Sequence, residues 1–269
     1  MQGMARNGRS AEDGIGRWRW HPFILPCLAP WMLSACKGPL SALDPAGPSA
    51  RAIAMVWWGM LAVALVVLVA VVAVWLAAMR RAPGNTLLRD LPPVLAGDDT
   101  PAGQWWIVGG GIALPSVCIA ALLAWGSGAG VHQLPLPGAA SGTAAPLRVE
   151  ITGHQWWWEV HYPGTGVRLR DEVRVPVGRP VDFRTGSRDV IHSFWVPRLG
   201  GKLDAIPGRT PVVRLQADEP GTFRGQCAEF CGLGHAGMGL TVVAMEPADF
   251  QAWLAAQAAA PGHFEEPAE

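Results

Sequence analysis

Residues 53–79 (IAMVWWGMLAVALVVLVAVVAVWLAAM) carry no charged side chain across 27 positions. At a rise of ~1.5 Å per residue, a helix of that length exceeds a hydrocarbon core of about 30 Å, so it spans with tilt or runs into the interfaces. A buried helix this long and this apolar is rare in a soluble domain, and the run commits this part of the chain to lipid. A second uncharged run, Trp105–Trp125, contains Gly109-Gly110-Gly111 and Pro115. Membrane helices tolerate both residue types, often with a kink. Trp57, Trp58, Trp75, Trp105, Trp106 and Trp125 fall near the run ends, where aromatic belts form. Two spans are expected, at about 53–79 and 105–125.

A third apolar segment precedes them. Arg17 and Arg19 lead into Phe23–Leu33, which is broken by Pro26 and Pro30 and is too short to cross a bilayer. That pattern resembles a secretory signal peptide. It ends in Leu33-Ser34-Ala35-Cys36, which resembles a bacterial lipoprotein signal-peptidase box. The resemblance implies residues 1–35 as the signal, cleavage before Cys36 and lipidation of its thiol; the alternative is an uncleaved extension with an incidental cysteine. Between the spans lie Arg80, Arg81 and Arg89, whereas Gly126–Pro146 has no Lys or Arg. Positive-inside orientation then puts everything from about residue 126 outside the cytoplasm.

The 21 basic and 21 acidic side chains give zero net charge, which offers no electrostatic case for nucleic acid. Of five cysteines, Cys27 lies in the signal segment, Cys36 at its end and Cys118 in the second span, so Cys227 and Cys231 are left for the exported part. An oxidising compartment would allow these two to pair as a disulfide.

Residues 126–146 are rich in Gly, Ala, Pro and Ser and read as a linker. Strand-like segments follow at Leu147–Tyr162, Val167–Val177, Pro180–Arg184, Pro211–Gln216, Thr222–Gln226 and Leu240–Met245, a spacing that suggests a small β-sandwich or barrel. A short helix starts at Pro247, with Phe250, Trp253 and Leu254 at i, i+3 and i+4 as its docking stripe. The domain is set at 147–258, with 36–146 as the hairpin and its linker and 259–269 as a tail.

Cys227-Ala-Glu-Phe-Cys231-Gly-Leu-Gly-His235-Ala-Gly-Met238 gathers two thiols, an imidazole and a thioether. Soft sulfur ligands with borderline imidazole favour copper over magnesium, calcium or manganese. A c-type haem site would need His directly after the second Cys. A structural zinc site closes with four Cys/His ligands and leaves Met238 idle. The flanking His and Met favour metal ligation over a disulfide. Further imidazole would come from His154, His161 or His192.

Four separated motifs, Gly153-His-Gln-Trp-Trp-Trp158, Asp189–Pro197, Leu203-Asp-Ala-Ile-Pro-Gly-Arg209 and the Cys227–Met238 loop, resemble cytochrome c oxidase subunit II of the haem–copper oxidases. The likeness covers roughly residues 38–258. It implies a two-helix transmembrane hairpin plus an all-β cupredoxin-like sandwich holding two copper ions. Cys227 and Cys231 would bridge both metals and His192 and His235 would each cap one, with Met238 and the Glu229 carbonyl as weak outer ligands. A blue-copper site needs one Cys with two His, so the second thiol argues for two metals. The resemblance also implies that the Glu229 carboxylate reaches a magnesium ion at the subunit I interface, and that Trp156 is where an electron arrives from cytochrome c. Haem would sit in subunit I only, with subunit III as a further partner. The implied setting is a bacterial inner membrane with the copper domain on the periplasmic side. The implied activity is proton-translocating cytochrome c oxidase. A membrane-tethered copper-delivery protein is the alternative.

Two departures stand out. Members of that family often carry a Glu just before the second span, but Ala102-Gly103-Gln104-Trp105 has no carboxylate. Residues 147–255 hold 12 basic and 12 acidic side chains, so composition gives no strongly acidic docking face. Trp157 stands where the motif usually has Tyr.

Overall fold

The computed structural model describes residues 36–81, 104–131, 133–136 and 145–259. The signal segment, the arginine-bearing loop around Arg89, the Ala102-Gly103 position and the tail lie outside the described residues. The chain divides at Cys36: Lys37–Glu269 forms one unit, and Cys36 is the described residue of the other.

Helix α1 runs Pro48–Arg81. Pro48 suits its first position, where no intrahelical N–H bond is needed. The second apolar run forms two kinds of helix, π-helical over Trp106–Ala113 and α-helical (α2) over Leu114–Val131. Pro115 supplies the reason. It has no N–H to donate, and its ring crowds the carbonyl four residues back. The preceding turn is accordingly wide, with the Leu114 N–H reaching the carbonyl of Gly109. The stretches Pro48–Arg80 and Trp106–Gly128 are each long and apolar enough to cross a membrane.

Helix α2 continues past Trp125 into the stretch expected as linker, which corrects that boundary. Gly and Ala neither clash nor break the ladder there, and Ser127 Oγ caps inward on the Leu123 carbonyl at 2.6 Å. Gly59 lets the two helices meet: a Cβ there would lie 2.3 Å from the Trp125 ring.

Ten strands follow among the described residues. One sheet has the order β3-β2-β1-β5-β8, from β1 (Leu147–His154), β2 (Trp157–Tyr162), β3 (Val167–Arg170), β5 (Val181–Ser187) and β8 (Val212–Leu215). A second has the order β4-β10-β9, from β4 (Glu172–Pro176), β9 (Gly221–Gln226) and β10 (Gly239–Met245). A third pairs β6 (His192–Phe194) with β7 (Leu203–Ala205). β1 pairs with β2 antiparallel and with β5 in parallel, and β10 pairs with β4 in parallel and with β9 antiparallel.

The sheets face each other across a core that includes Val149, Ile151, Trp158, Phe183, Phe194, Val242 and Leu240. Alternation delivers these side chains. β1 buries Val149 and Ile151, and β10 buries Leu240, Val242 and Ala244, while their neighbours turn outward. Two segments expected as single strands are broken. Leu147–Tyr162 is a hairpin that turns at Gln155-Trp156. Val167–Val177 changes sheets at Asp171, whose φ of 55° is left-handed and whose Oδ1 accepts the Trp158 N–H at 2.7 Å. Helix α3 (Pro247–Ala259) buries Phe250 and sets Trp253 against Tyr162 at 5.6 Å between ring centroids.

The hairpin is tied to this domain just outside the apolar runs. Ala46 N–H donates to the Arg198 carbonyl at 2.7 Å, Asp218 N–H donates to the Ala46 carbonyl at 3.0 Å, and Arg51 pairs with Asp218. Just beyond the end of α2, the Gln133 side chain accepts the Gly201 N–H at 3.1 Å.

Candidate metal centre

Cys227 and Cys231 belong to the core rather than to the surface, both almost fully buried, together with Met238. The end of β9 carries Cys227, and the start of β10 returns just after Met238. The Cys227 N–H donates to the Met238 carbonyl at 2.9 Å, which closes the loop onto itself. The two sulfurs stand 3.9 Å apart and are not bonded to each other.

The other donors converge on this pair. His192 Nδ1 lies 3.9 Å from Cys227 Sγ, and His235 Nδ1 lies 3.5 Å from Cys231 Sγ. Met238 Sδ is 3.7 Å from Cys231 Sγ, and the Glu229 carbonyl is 3.3 Å from Cys227 Sγ. One atom from each of His192, Cys227 and Cys231 falls within 4.8 Å of the others. Each thiol thus has its own imidazole. That donor set fits soft or borderline ions such as copper, with both thiols, Met238 and His192 buried and His235 half-buried.

His154 and His161 are elsewhere. His154 stacks on Trp157 at 4.2 Å and turns Nε2 to Glu159, and His161 Nδ1 meets Glu150 at 3.0 Å. Of the three imidazole candidates, His192 is the one brought to the thiols. It is fully buried, with Gly153 of β1 against its ring: a Cβ on Gly153 would sit 2.6 Å from His192 Cδ2.

Sequence reasoning missed Asp189 and Gln155. Asp189 Oδ1 accepts from His192 Nε2 at 2.7 Å, which leaves Nδ1 as the nitrogen facing sulfur. Gln155 Nε2 and Trp156 Nε1 both donate to the Cys231 carbonyl, at 2.8 and 3.1 Å. Neither left a sequence signal beyond its neighbourhood: Asp189 stands three residues before His192, and Gln155 lies next to Trp156.

The two thiols titrate unequally. Burial raises the Cys227 thiol, but hydrogen bonding to His192 and to the backbone outweighs it and brings the group down to about 6. Burial and then the neighbouring Cys227 charge push Cys231 up to about 12. Burial lowers the His192 imidazole, yet its bonds to Cys227 and Asp189 more than compensate and hold it above its ordinary value. Asp189 is held low: burial would raise it, and the His192 hydrogen bond leads the opposing effects.

Trp156 is 41% exposed, with its indole plane against Gly234, where a Cβ would lie 2.4 Å from Cδ2. Phe230 (75%) and Leu233 (99%), which flank Cys231 in sequence, are open to solvent, as are Val190 and Ile191 just before His192. Glu229 is also outward-facing, with Oε2 3.9 Å from Lys202 Nζ; that ammonium is 3.0 Å from Asp204 Oδ1.

The model of the family described as the periplasmic domain of cytochrome c oxidase subunit II matches residues 165–245. Cytochrome c oxidase subunit 2 of Alkalihalophilus pseudofirmus is 35% identical over 242 residues, 88% of this chain and 67% of that protein. This chain belongs to the cytochrome c oxidase subunit II family. The subunit 2 of a Synechocystis strain is 41% identical over 116 residues, 43% of this chain but 35% of its own length. Among solved structures, the periplasmic domain of cytochrome oxidase subunit II from Bradyrhizobium japonicum aligns at 33% identity over 42% of this chain and 94% of that chain, with a TM-score of 0.40. As a subunit II, the chain has a family-type β-sandwich domain and two helices able to span a membrane. A His/Cys/Cys cluster of the kind a copper centre requires lies in that domain.

Proposed function

We propose that this subunit accepts single electrons from a cytochrome c and passes them to the haem and copper of subunit I, where oxygen is reduced to water with proton translocation. The observation that carries the proposal is the convergence of two unbonded, buried thiols, each beside a separate imidazole nitrogen. His192, Cys227, Cys231, His235, Met238 and the Glu229 carbonyl would hold two copper ions. When bound, the pair supplies a one-electron acceptor whose charge is shared over both metals, so little has to move when it is reduced.

The protein's own residues do the rest. Burial of both thiols keeps water and small oxidants off the sulfurs. Asp189 orients His192, while Gln155 and Trp156 pin the Cys231 carbonyl. Trp156 joins solvent to that carbonyl through one hydrogen bond, so a donor haem resting on its exposed edge has a short covalent and hydrogen-bonded path to Cys231. The exposed apolar side chains Val190 and Ile191, which precede His192, and Phe230 and Leu233, which flank Cys231 in sequence, offer a donor apolar surface. The Glu229 carboxylate would meet magnesium with ligands from subunit I, and Lys202 beside it would have to yield. Cys36 would carry the lipid anchor. Delivery of copper to other proteins is poorly served by this geometry, because an exchangeable site needs open ligands and both thiols here are buried.

The test is steady-state oxygen uptake by the assembled oxidase with reduced cytochrome c. Trp156→Phe is expected to slow turnover while leaving copper content intact, and Cys227→Ser is expected to abolish it with membrane insertion preserved. Full turnover in Cys227→Ser would refute the proposal.

A further inference from the structure

The carboxylate of Asp189 makes contacts that join two parts of the site. Its Oδ1 takes the His192 Nε2–H at 2.7 Å, the Val190 N–H at 2.6 Å and the Ser187 hydroxyl at 3.4 Å. Its Oδ2 takes the Gln155 N–H at 2.7 Å. Gln155 immediately precedes Trp156, and its own side chain holds the Cys231 carbonyl. One side chain on the β5–β6 loop therefore touches the ring that faces Cys227 and the backbone that leads to the exposed indole. A carboxylate only accepts, so both partners must donate to it. For His192 this fixes the proton on Nε2 and turns the Nδ1 lone pair toward the thiols.

We propose that Asp189 is a positioning residue with two simultaneous duties: it selects the tautomer of His192, and it locks the Gln155-Trp156 turn to that imidazole. The proposal rests on the electron-transfer reading above. Loss of the carboxylate would leave the imidazole a poorer base toward copper. It would also free the turn that carries Trp156, so the metal and the docking edge would cease to be held by a common part.

Two variants test this in the full chain. Asp189→Ala removes both acceptors. Asp189→Asn keeps the shape but presents one acceptor and one donor, so it serves either His192 or the Gln155 N–H and not both. In copper-free protein, histidine 15N shifts at a pH where the ring is neutral report the tautomer, and amide exchange at Gln155 reports the turn. The parent is expected to show the Nε2–H form and a protected Gln155 amide. Asp189→Ala should lose both, and Asp189→Asn should lose one of them. In copper-loaded protein, Asp189→Ala should weaken copper retention by about 10–100-fold, the usual effect of removing such a support. Its reduction potential should rise, because a less basic imidazole stabilises the oxidised state less. Unchanged tautomer and Gln155 protection in both variants would overturn the proposal. These copper-free readouts hold even if the parent fails to bind two coppers, which would overturn the functional reading instead.

Discussion

His192 carries two constraints that meet at one ring: a carboxylate at 2.7 Å on Nε2 and a glycine beneath the plane with no room for a methyl group. Gly153→Ala would put Cβ 2.6 Å from Cδ2, so the imidazole must shift and copper retention should fall, as measured by competition with a chelator. Gly234→Ala makes a matched contrast. Its Cβ would press on the Trp156 indole and not on a ligand, so electron uptake from cytochrome c should slow while the copper spectrum persists. The thiols give a pH signature in the copper-free protein. One thiolate should appear in the ultraviolet as pH rises through about 6, and the second only toward about 12. Copper uptake should weaken as pH falls through the lower value, because the metal must then displace a proton from Cys227. Two thiols titrating together near their ordinary value would contradict this coupling. The candidate donors on the loop were legible from the sequence, because two thiols, an imidazole and a thioether at Cys227, Cys231, His235 and Met238 are an improbable accident in twelve residues. Asp189 was not, since a hydrogen bond across the β5–β6 loop leaves no periodic trace.

At the level of elements, strands with alternating burial were readable and the shortest ones were not. β1 and β10 announce themselves by period, whereas β6 and β7 have three residues each, too few to show one. The turn at Gln155-Trp156 was hidden because neither residue is a turn former. Asp171 concealed the break between β3 and β4 for a different reason: its role depends on a left-handed backbone and on the Trp158 N–H, which is distant in sequence. Asp171→Ala should cost about 1–3 kcal/mol, the usual result of leaving a buried donor unpaired. Chemical denaturation checks this. In the membrane hairpin, Pro115 was legible as a disturbance but not as a π-helical run, which depends on where the displaced hydrogen bonds find partners.

Across the whole molecule, the apolar helical hairpin and the periplasmic-type domain are joined by short polar contacts at Ala46, Arg51 and Gln133. The domain's charges balance, and the side chains next to His192 and Cys231 in sequence, Val190, Ile191, Phe230 and Leu233, are exposed and apolar. Association with the donor cytochrome should therefore depend only weakly on ionic strength, since screening acts on charge and not on apolar burial. A steep loss of affinity with added salt, seen in stopped-flow electron transfer, would show that charge steers docking after all. Two coppers are expected to be held by the Cys227–Met238 loop together with His192. Metal analysis joined to electron paramagnetic resonance of the purified full chain tests it most directly. Two coppers per chain, with one unpaired electron spread over both nuclei, is the expected result; one copper per chain, a signal from an isolated single ion, or zinc in its place would contradict it.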